Sequence, residues 1–112
     1  MVKQRIVECT FFIPIRRDAN LSDGKLHSAE AWEWLDDELF LQFGGRTVAP
    51  GFYEGFYEDP DTHKRVPDQS RKYIVAVEKP EIKSLRRLLV EAKTAFQQKC
   101  IYLSVAGQVE FI

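Results

Sequence analysis

Two glutamates, Glu8 and Glu54, lie among aromatic residues in segments whose apolar residues alternate as in β-strands. A carboxyl group in an apolar pocket has a raised pKa, and a pair of such groups can divide the work of acid–base catalysis. Alternation does not show whether the two side chains meet, and most glutamates on strands are simply exposed. The pair is therefore a hypothesis for an acid–base site, with two solvated carboxylates as the alternative.

The other side chains that are able to do chemistry are isolated from one another in the sequence. His27 and His63 fall in predicted loops and have no second His or Cys at the spacing of a metal site. Cys9 and Cys100 fall on predicted core strands, where a thiol is ordinarily buried and inert. We therefore expect no metal site and no cofactor, and the sequence identifies no catalytic residue.

The apolar patterns that must position these groups follow the order strand, helix, strand, strand, helix, strand. Residues 28–43 have helical periodicity, with Ser28 as the predicted N-cap and Gly44 as the stop. Pro80 is suited to the first turn of the second helix, which continues to Phe96. Strands are predicted at residues 5–15, 46–58, 71–78 and 99–105, with a short return strand at 109–112 and polar loops at 16–27 and 59–70.

This order predicts an α+β fold, the ferredoxin-like split βαβ plait with the element sequence βαββαβ. Right-handed crossovers would place both helices on one face of an antiparallel sheet. The return strand at 109–112 would add a short extra strand at the C-terminal end. With 112 residues and a mass of 13.0 kDa, the chain is expected to form a single domain over residues 1–112.

The sheet face away from the helices, called the open face below, is where a function is expected. Alternation in the first strand turns Cys9, Phe11 and Ile13 toward the helices. For the second strand, alternation does not decide which residues point toward the helices. A mixture of aromatic and polar groups is typical of a pocket wall and also of a homodimer interface. The candidate ligand-pocket residues are Glu8, Thr10, Phe12, Tyr53, Glu54, Tyr102 and Ser104.

Two apolar residues lie on roughly the opposite side of the first helix from its predicted core stripe. They are Trp34 and Leu41. An exposed tryptophan is typical of a protein interface, so both residues are interface candidates. The alternative is that the loop at residues 16–27 folds over Trp34 and covers it.

Charge and composition argue against several classes of partner. A net charge of -1 and a pI near 6.1 provide no long-range attraction for nucleic acid or an anionic membrane. No apolar stretch approaches the length of a membrane span. Two cysteines far apart in sequence do not form a disulfide framework and fit a reducing compartment. We therefore expect a cytoplasmic protein, with a second copy of itself as partner and a small apolar molecule as candidate ligand.

Scattered aromatic and glycine positions carry a resemblance to a known family. They are Phe11-Phe12, Trp32 with Leu35 and Phe43, Gly45-Arg46-Thr47-Val48, Ser70-Arg71-Lys72 and Phe96-Gln97-Gln98. Through these positions the chain resembles a small bacterial family catalogued as a domain of unknown function. The resemblance implies a ferredoxin-like plait related in shape to the dimeric α/β barrels, and it implies no catalytic residues.

The sequence is compatible with two functions. The favoured interpretation is a homodimeric binding or accessory module without catalysis. The alternative is a cofactor-free small enzyme of the dimeric α/β-barrel type, which acts on an apolar metabolite in a pocket on the open face. An enclosed cavity with convergent polar groups favours the enzyme, whereas a flat and filled interface favours the module.

Overall fold

The computed structural model describes residues 5–112 and shows an α+β protein with a six-stranded antiparallel sheet and two α-helices. The first four residues of the predicted domain lie outside this range. No helix within residues 5–112 has both the length and the apolar character needed to cross a bilayer. The elements are β1 (Ile6–Pro14), α1 (Ala29–Phe43), β2 (Thr47–Val48), β3 (Tyr53–Glu58), β4 (Arg65–Glu78), a 3₁₀ turn (Lys79–Glu81), α2 (Ile82–Ala95), β5 (Tyr102–Val105) and β6 (Gln108–Phe111).

The sheet has more strands than the simple plait that the sequence predicts. Its order is β2-β4-β1-β5-β6, and β3 also pairs with β4. The predicted second strand is divided into β2 and β3 around Pro50 and Gly51, where Gly51 has a φ of 75°. Glycine adopts this left-handed conformation readily, so the chain can turn there and rejoin β4 further along.

The structure corrects the prediction of a polar loop over residues 59–70, because β4 begins at Arg65. β1 ends opposite Ser70. The residues of β4 before Ser70 therefore pair with β3 on one edge and have no partner strand on the other edge. Pro67 lies in this stretch, opposite Phe56. A proline is tolerated where one edge of a strand has no ladder partner, since its missing N–H then costs no hydrogen bond.

The core lies between one face of the sheet and the two helices. Cys9, Phe11 and Ile13 of β1 are fully buried there, as the alternation predicts, together with leucines of α1 and α2. The Phe11 ring stacks on the ring of Tyr73 in β4, with 5.0 Å between centroids. Burial of these large side chains, each worth about 1.5–3 kcal/mol, fixes which face of the sheet remains open.

Helix α1 begins and ends where the sequence predicts. The Ser28 hydroxyl accepts a hydrogen bond from the N–H of Ala31 at 3.3 Å, which satisfies one of the free donors of the first turn. Gly44 adopts a left-handed conformation at the C-terminus, and its N–H donates to the carbonyl oxygen of Phe40.

An aromatic cluster joins the loop after β1 to both helices. The His27 ring packs edge-on against Trp32 and Phe96, with centroids 5.4 and 4.9 Å away. Trp34, expected on the exposed side of α1, is half-buried because α2 ends beside it, and its ring lies 6.5 Å from that of Phe96. Leu41 is 75% exposed. An interface role for Trp34 and Leu41 stays a prediction.

We expect His27 to make the protein less stable in acid. Its Nε2–H donates to the Pro14 carbonyl oxygen at 2.7 Å, and burial lowers the pKa of the ring. Above about pH 6.5 the ring is neutral in both folded and unfolded chains, whereas below it the unfolded chain takes up the proton more readily, so stability falls.

Urea unfolding at about pH 7.5 and about pH 5.5 measures this effect. His27→Gln should weaken the loss of stability between the two pH values. The control His63→Gln, at a side chain that is 74% exposed, should leave the loss unchanged. An identical pH dependence in wild type and His27→Gln would contradict the assignment.

Candidate functional site

The hairpin formed by β3 and β4 curves over the open face. In the sheet, β4 and β1 lie between β3 and β5. Nevertheless Asp59, one residue beyond β3, contacts Lys99, which precedes β5. Phe12 of β1 and Tyr102 of β5 line the same cavity as the hairpin. The hairpin therefore forms one wall of a concave surface whose other wall is the sheet itself.

A cluster of polar side chains, the hairpin latch (Asn20, Asp59, Asp61 and Lys99), holds the tip of the hairpin in this position. The Lys99 ammonium donates to the two Asp59 oxygens at 3.1 and 3.0 Å and to Asp61 at 2.7 Å. Asn20 donates to Asp59 at 3.1 Å, and the backbone N–H of Thr62 donates to it at 3.0 Å. Asp59 is fully buried, and the Thr62 N–H and its other donors hold the pKa of the carboxyl well below its usual range.

A second contact ties the middle of the hairpin to the loop after β1. The Tyr57 hydroxyl donates to the Asp18 carboxylate at 2.9 Å, and the Asn20 N–H donates to the other oxygen of Asp18 at 2.7 Å. Burial, with this hydrogen bond to Asp18, raises the pKa of Tyr57 well above its ordinary value. Tyr57 is therefore a hydrogen-bond donor at neutral pH rather than a candidate base.

The concave surface contains an aromatic groove of about 340 Å³, whose walls include Phe12, Tyr53, Tyr102 and Phe111. Neighbouring rings meet edge to face, at 5.7 Å between Phe12 and Tyr53 and 5.3 Å between Phe12 and Tyr102. The Tyr102 and Phe111 rings continue the row at 5.8 Å. Such a row offers flat apolar surface for an aromatic ligand.

A polar groove of about 500 Å³ adjoins the aromatic one, between the hairpin and the loop after β1. Arg16, Asp18, Gln69 and Gln98 are among its walls. The two grooves share the residues Pro14, Glu54, Gly55, Tyr57, Asp68 and Gln98, so they form one continuous cleft, with the aromatic row at one end and Arg, Asp and Gln side chains at the other.

Asp68 lies where the two grooves join. Register places it opposite Gly55, on the same face as Tyr53 and Ser70. A methyl group on Gly55 would lie 3.3 Å from the Asp68 carboxylate, so the glycine leaves the space in front of that carboxylate clear. Burial raises the pKa of Asp68, and the carboxylate forms no ion pair with any residue in the 5–112 range.

Four of the predicted pocket residues meet in the aromatic groove: Phe12, Tyr53, Glu54 and Tyr102. Thr10, Ser104 and Glu8 lie further along the open face, where Thr10 pairs with Ser104. Their participation in a ligand site stays a prediction.

The structure keeps Glu8 and Glu54 apart. Glu8 pairs with Ala76 and Glu54 pairs with Gln69 on the same strand. Seven residues of strand separate those partners, which is roughly 23 Å. The two glutamates therefore form no carboxylate couple within the chain.

Three residues that line the aromatic groove are not among the predicted pocket residues: Tyr57, Asp68 and Phe111. Asp68 lies in the stretch assigned to a polar loop, whereas Tyr57 and Phe111 lie on predicted strands. Asp68 follows Pro67 in the sequence, and a proline argues against a strand. The sequence therefore assigns this stretch to a loop. Cys100, expected in the core, lies two residues before β5, is half-buried and lines the aromatic groove.

Among residues 5–112, no group of three His, Cys, Asp or Glu side chains lies in an arrangement able to hold a metal ion. The ionic groups near the cleft instead bind one another, as in the hairpin latch. The chemistry that the cleft offers is therefore aromatic surface, a carboxylate at Asp68 and the hydrogen-bonding groups of the polar groove.

No protein-family model matches the chain, and no curated protein matches it in sequence. Solved structures do match it in shape. A phage SAM lyase in complex with S-methyl-5'-thioadenosine has a TM-score of 0.74 at 13% identity, with 100% of this chain and 92% of that chain covered. A phage SAM lyase in the apo state has a TM-score of 0.65 at 14% identity, with 95% and 87% covered. At these identities the likeness shows a shared fold, and the resemblance to a small bacterial family stays a prediction.

Replacing Lys99 by methionine is expected to release the hairpin from the sheet. Asp59 would then be a buried carboxylate without its cation, which is strongly unfavourable. Amide hydrogens of residues 53–64 should exchange about tenfold faster or more, and the melting temperature should fall by several degrees.

The matched control is Lys64→Met, because Lys64 lies at the same hairpin tip, is exposed, and forms no ion pair within the described residues. It should leave both measurements unchanged. Equal exchange in Lys99→Met and wild type would show that the latch does not hold the hairpin.

Proposed function

We propose that this chain is a small enzyme that binds S-adenosylmethionine in the cleft and cleaves it to S-methyl-5'-thioadenosine. The observation that carries the proposal is the aromatic groove joined to a polar groove on the open face. It is supported by the fold shared with the phage SAM lyase in complex with S-methyl-5'-thioadenosine. This corresponds to the enzyme alternative of the sequence analysis, with a nucleoside in place of an apolar metabolite.

The dimensions of the cleft suit such a ligand. S-adenosylmethionine has a flat purine at one end and a charged amino-acid group at the other. The row of rings offers a stacking surface for the purine, since every base has a π-face. The polar groove offers Arg16 and Gln69 as partners for the amino-acid group. Ligand pockets commonly measure about 300–1,000 Å³, and both grooves lie within that range.

The proposed reaction breaks the bond between the sulfonium sulfur and the aminobutyrate carbon. Sulfur keeps both electrons of that bond and becomes the neutral thioether of S-methyl-5'-thioadenosine. Because a lyase adds no water, the carboxylate oxygen of the four-carbon fragment forms a bond to that carbon as the sulfur leaves, and the fragment closes to a lactone without a base. The task of the protein is to hold the fragment in the reactive conformation, for which the walls of the cleft offer contacts.

The test is incubation of the protein with S-adenosylmethionine, with chromatographic detection of S-methyl-5'-thioadenosine. We expect product above the non-enzymatic background, and Phe111→Ala should weaken binding of S-methyl-5'-thioadenosine by about tenfold through lost stacking. Phe40→Ala is the matched control, because both phenylalanines are 68% exposed but Phe40 lies on α1.

A protein that neither binds S-methyl-5'-thioadenosine nor forms it would contradict the proposed function. A protein that binds it without forming it would instead support the binding-module interpretation.

We also infer that the fold is an elaborated ferredoxin-like plait. In support, β2 and β3 together occupy the position of the second strand of a βαββαβ unit, on the outer edge of β4. The sixth strand, β6, then corresponds to the predicted C-terminal extra strand. A cytoplasmic location belongs to the same proposal, supported by the two cysteines, which are both unpaired.

A second candidate function is the homodimeric binding module, and the edge strand β6 favours it. Phe111 and Val109 of β6 are 68% and 52% exposed, and both belong to the open-face side of the strand. An exposed apolar edge strand is suited to pairing with a second copy.

Light scattering after size exclusion measures the dimer directly. We expect twice the chain mass of 13.0 kDa. Val109→Lys should give the single-chain mass, because it places a charge on the edge strand. Val90→Lys is the control on α2, since Val90 is also 52% exposed. A wild-type protein with the mass of one chain would contradict the dimer.

A further inference from the structure

Asp68 has the position and the surroundings of a recognition group. It lies at the junction of the aromatic and polar grooves, and its carboxylate faces Gly55. It is half-buried, so solvent compensates its charge only in part. A partly buried carboxylate without a cation is unfavourable, and a cationic ligand would remove that penalty.

The other acidic side chains near the cleft are either hydrogen-bonded within the protein or exposed to solvent, so Asp68 is the carboxylate available to a ligand. Asp18 is occupied by Tyr57 and by a backbone N–H, and Asp59 is occupied by Lys99. Glu54 also lines both grooves but is exposed, so solvent screens it.

Two basic groups near the cleft contact other partners, whereas Arg16 stays on the wall of the polar groove. Arg17 forms an ion pair with Asp23 at 2.7 Å. The Lys72 ammonium lies 5.4 Å from the centroid of the Tyr53 ring. That contact shows that a ring of the aromatic groove already accepts a positive charge on its face.

We propose that Asp68 receives the positively charged centre of the ligand, so that the cleft selects a sulfonium or ammonium compound over its neutral thioether counterpart. This inference rests on the proposed function, because it assigns one residue of the same site to one part of the ligand. Aromatic rings and a carboxylate together make a suitable environment for such a cation, since the rings attract it through their faces and the carboxylate supplies the opposite charge. After cleavage the sulfur is neutral, so the attraction to Asp68 disappears and the nucleoside product is released more readily.

Two probes separate the charge from the shape of the ligand. S-adenosylhomocysteine carries the same nucleoside and amino-acid groups around a neutral sulfur. Sinefungin carries an ammonium-bearing carbon at that place and has no sulfonium bond to break. Equilibrium dialysis of each probe against the wild type should show preference for sinefungin by about tenfold or more, because a charge–charge contact in a partly buried site is worth at least that factor.

Asp68→Asn tests the residue itself. The variant should lose the preference for sinefungin and keep the affinity for S-adenosylhomocysteine, which also shows that the cleft remains folded. Asp37→Asn is the control, because Asp37 is an exposed carboxylate on α1 outside both grooves, and it should keep the preference. An unchanged preference in Asp68→Asn, or an equal loss of preference in Asp37→Asn, would overturn the assignment to Asp68.

The outcomes for the wild type distinguish this inference from the proposed function. Equal binding of the two probes overturns the inference and leaves the proposed function in place. Failure of both probes and of S-methyl-5'-thioadenosine to bind overturns the proposed function, and the inference with it.

Discussion

The buried carboxylate of Asp59 determines the shape of the candidate site. A charge removed from water must be compensated by donors and a cation, and Asp59 obtains them from Lys99, Asn20 and the turn that follows it. Those donors come from three separate parts of the chain, so compensation of one charge brings the hairpin tip to the start of β5. Without that contact, the tip of the β3–β4 hairpin would lose its tie to the sheet, and the hydrogen bond from Tyr57 to Asp18 would hold only the middle of the hairpin.

The aromatic and polar grooves follow from this curvature. Phe12 and Tyr102 would form part of an ordinary exposed sheet face if the hairpin did not pass over them. With the hairpin in place, the same face becomes the floor of a cleft, and Tyr53 and Asp68 become its wall. The identity of the wall residues depends on strand register, since a slip by one residue would turn Glu54 inward in place of Gly55.

The sequence predicts those parts of the fold in which local pattern and tertiary packing agree. The alternation of β1 identifies its buried face correctly, and the Ser28 cap and the Gly44 stop define α1 correctly. The sequence does not show which face of β3 points toward the open face of the sheet. Phe52-Tyr53 and Phe56-Tyr57 place an aromatic residue on both faces of the strand, so neither face is the more polar one. The latch could not be predicted, because Asp59 and Lys99 are 40 residues apart and neither has a local signature.

The same separation has a consequence for how the protein folds. Contacts between distant residues form late, because the entropy of closing a long loop must be overcome first. The latch joins residues 20, 59 and 99, so we expect it to form after β1, β4 and β5 have assembled into a sheet. A chain interrupted before residue 99 lacks the cation that Asp59 requires, so during synthesis the cleft stays unformed until residue 99 has been added.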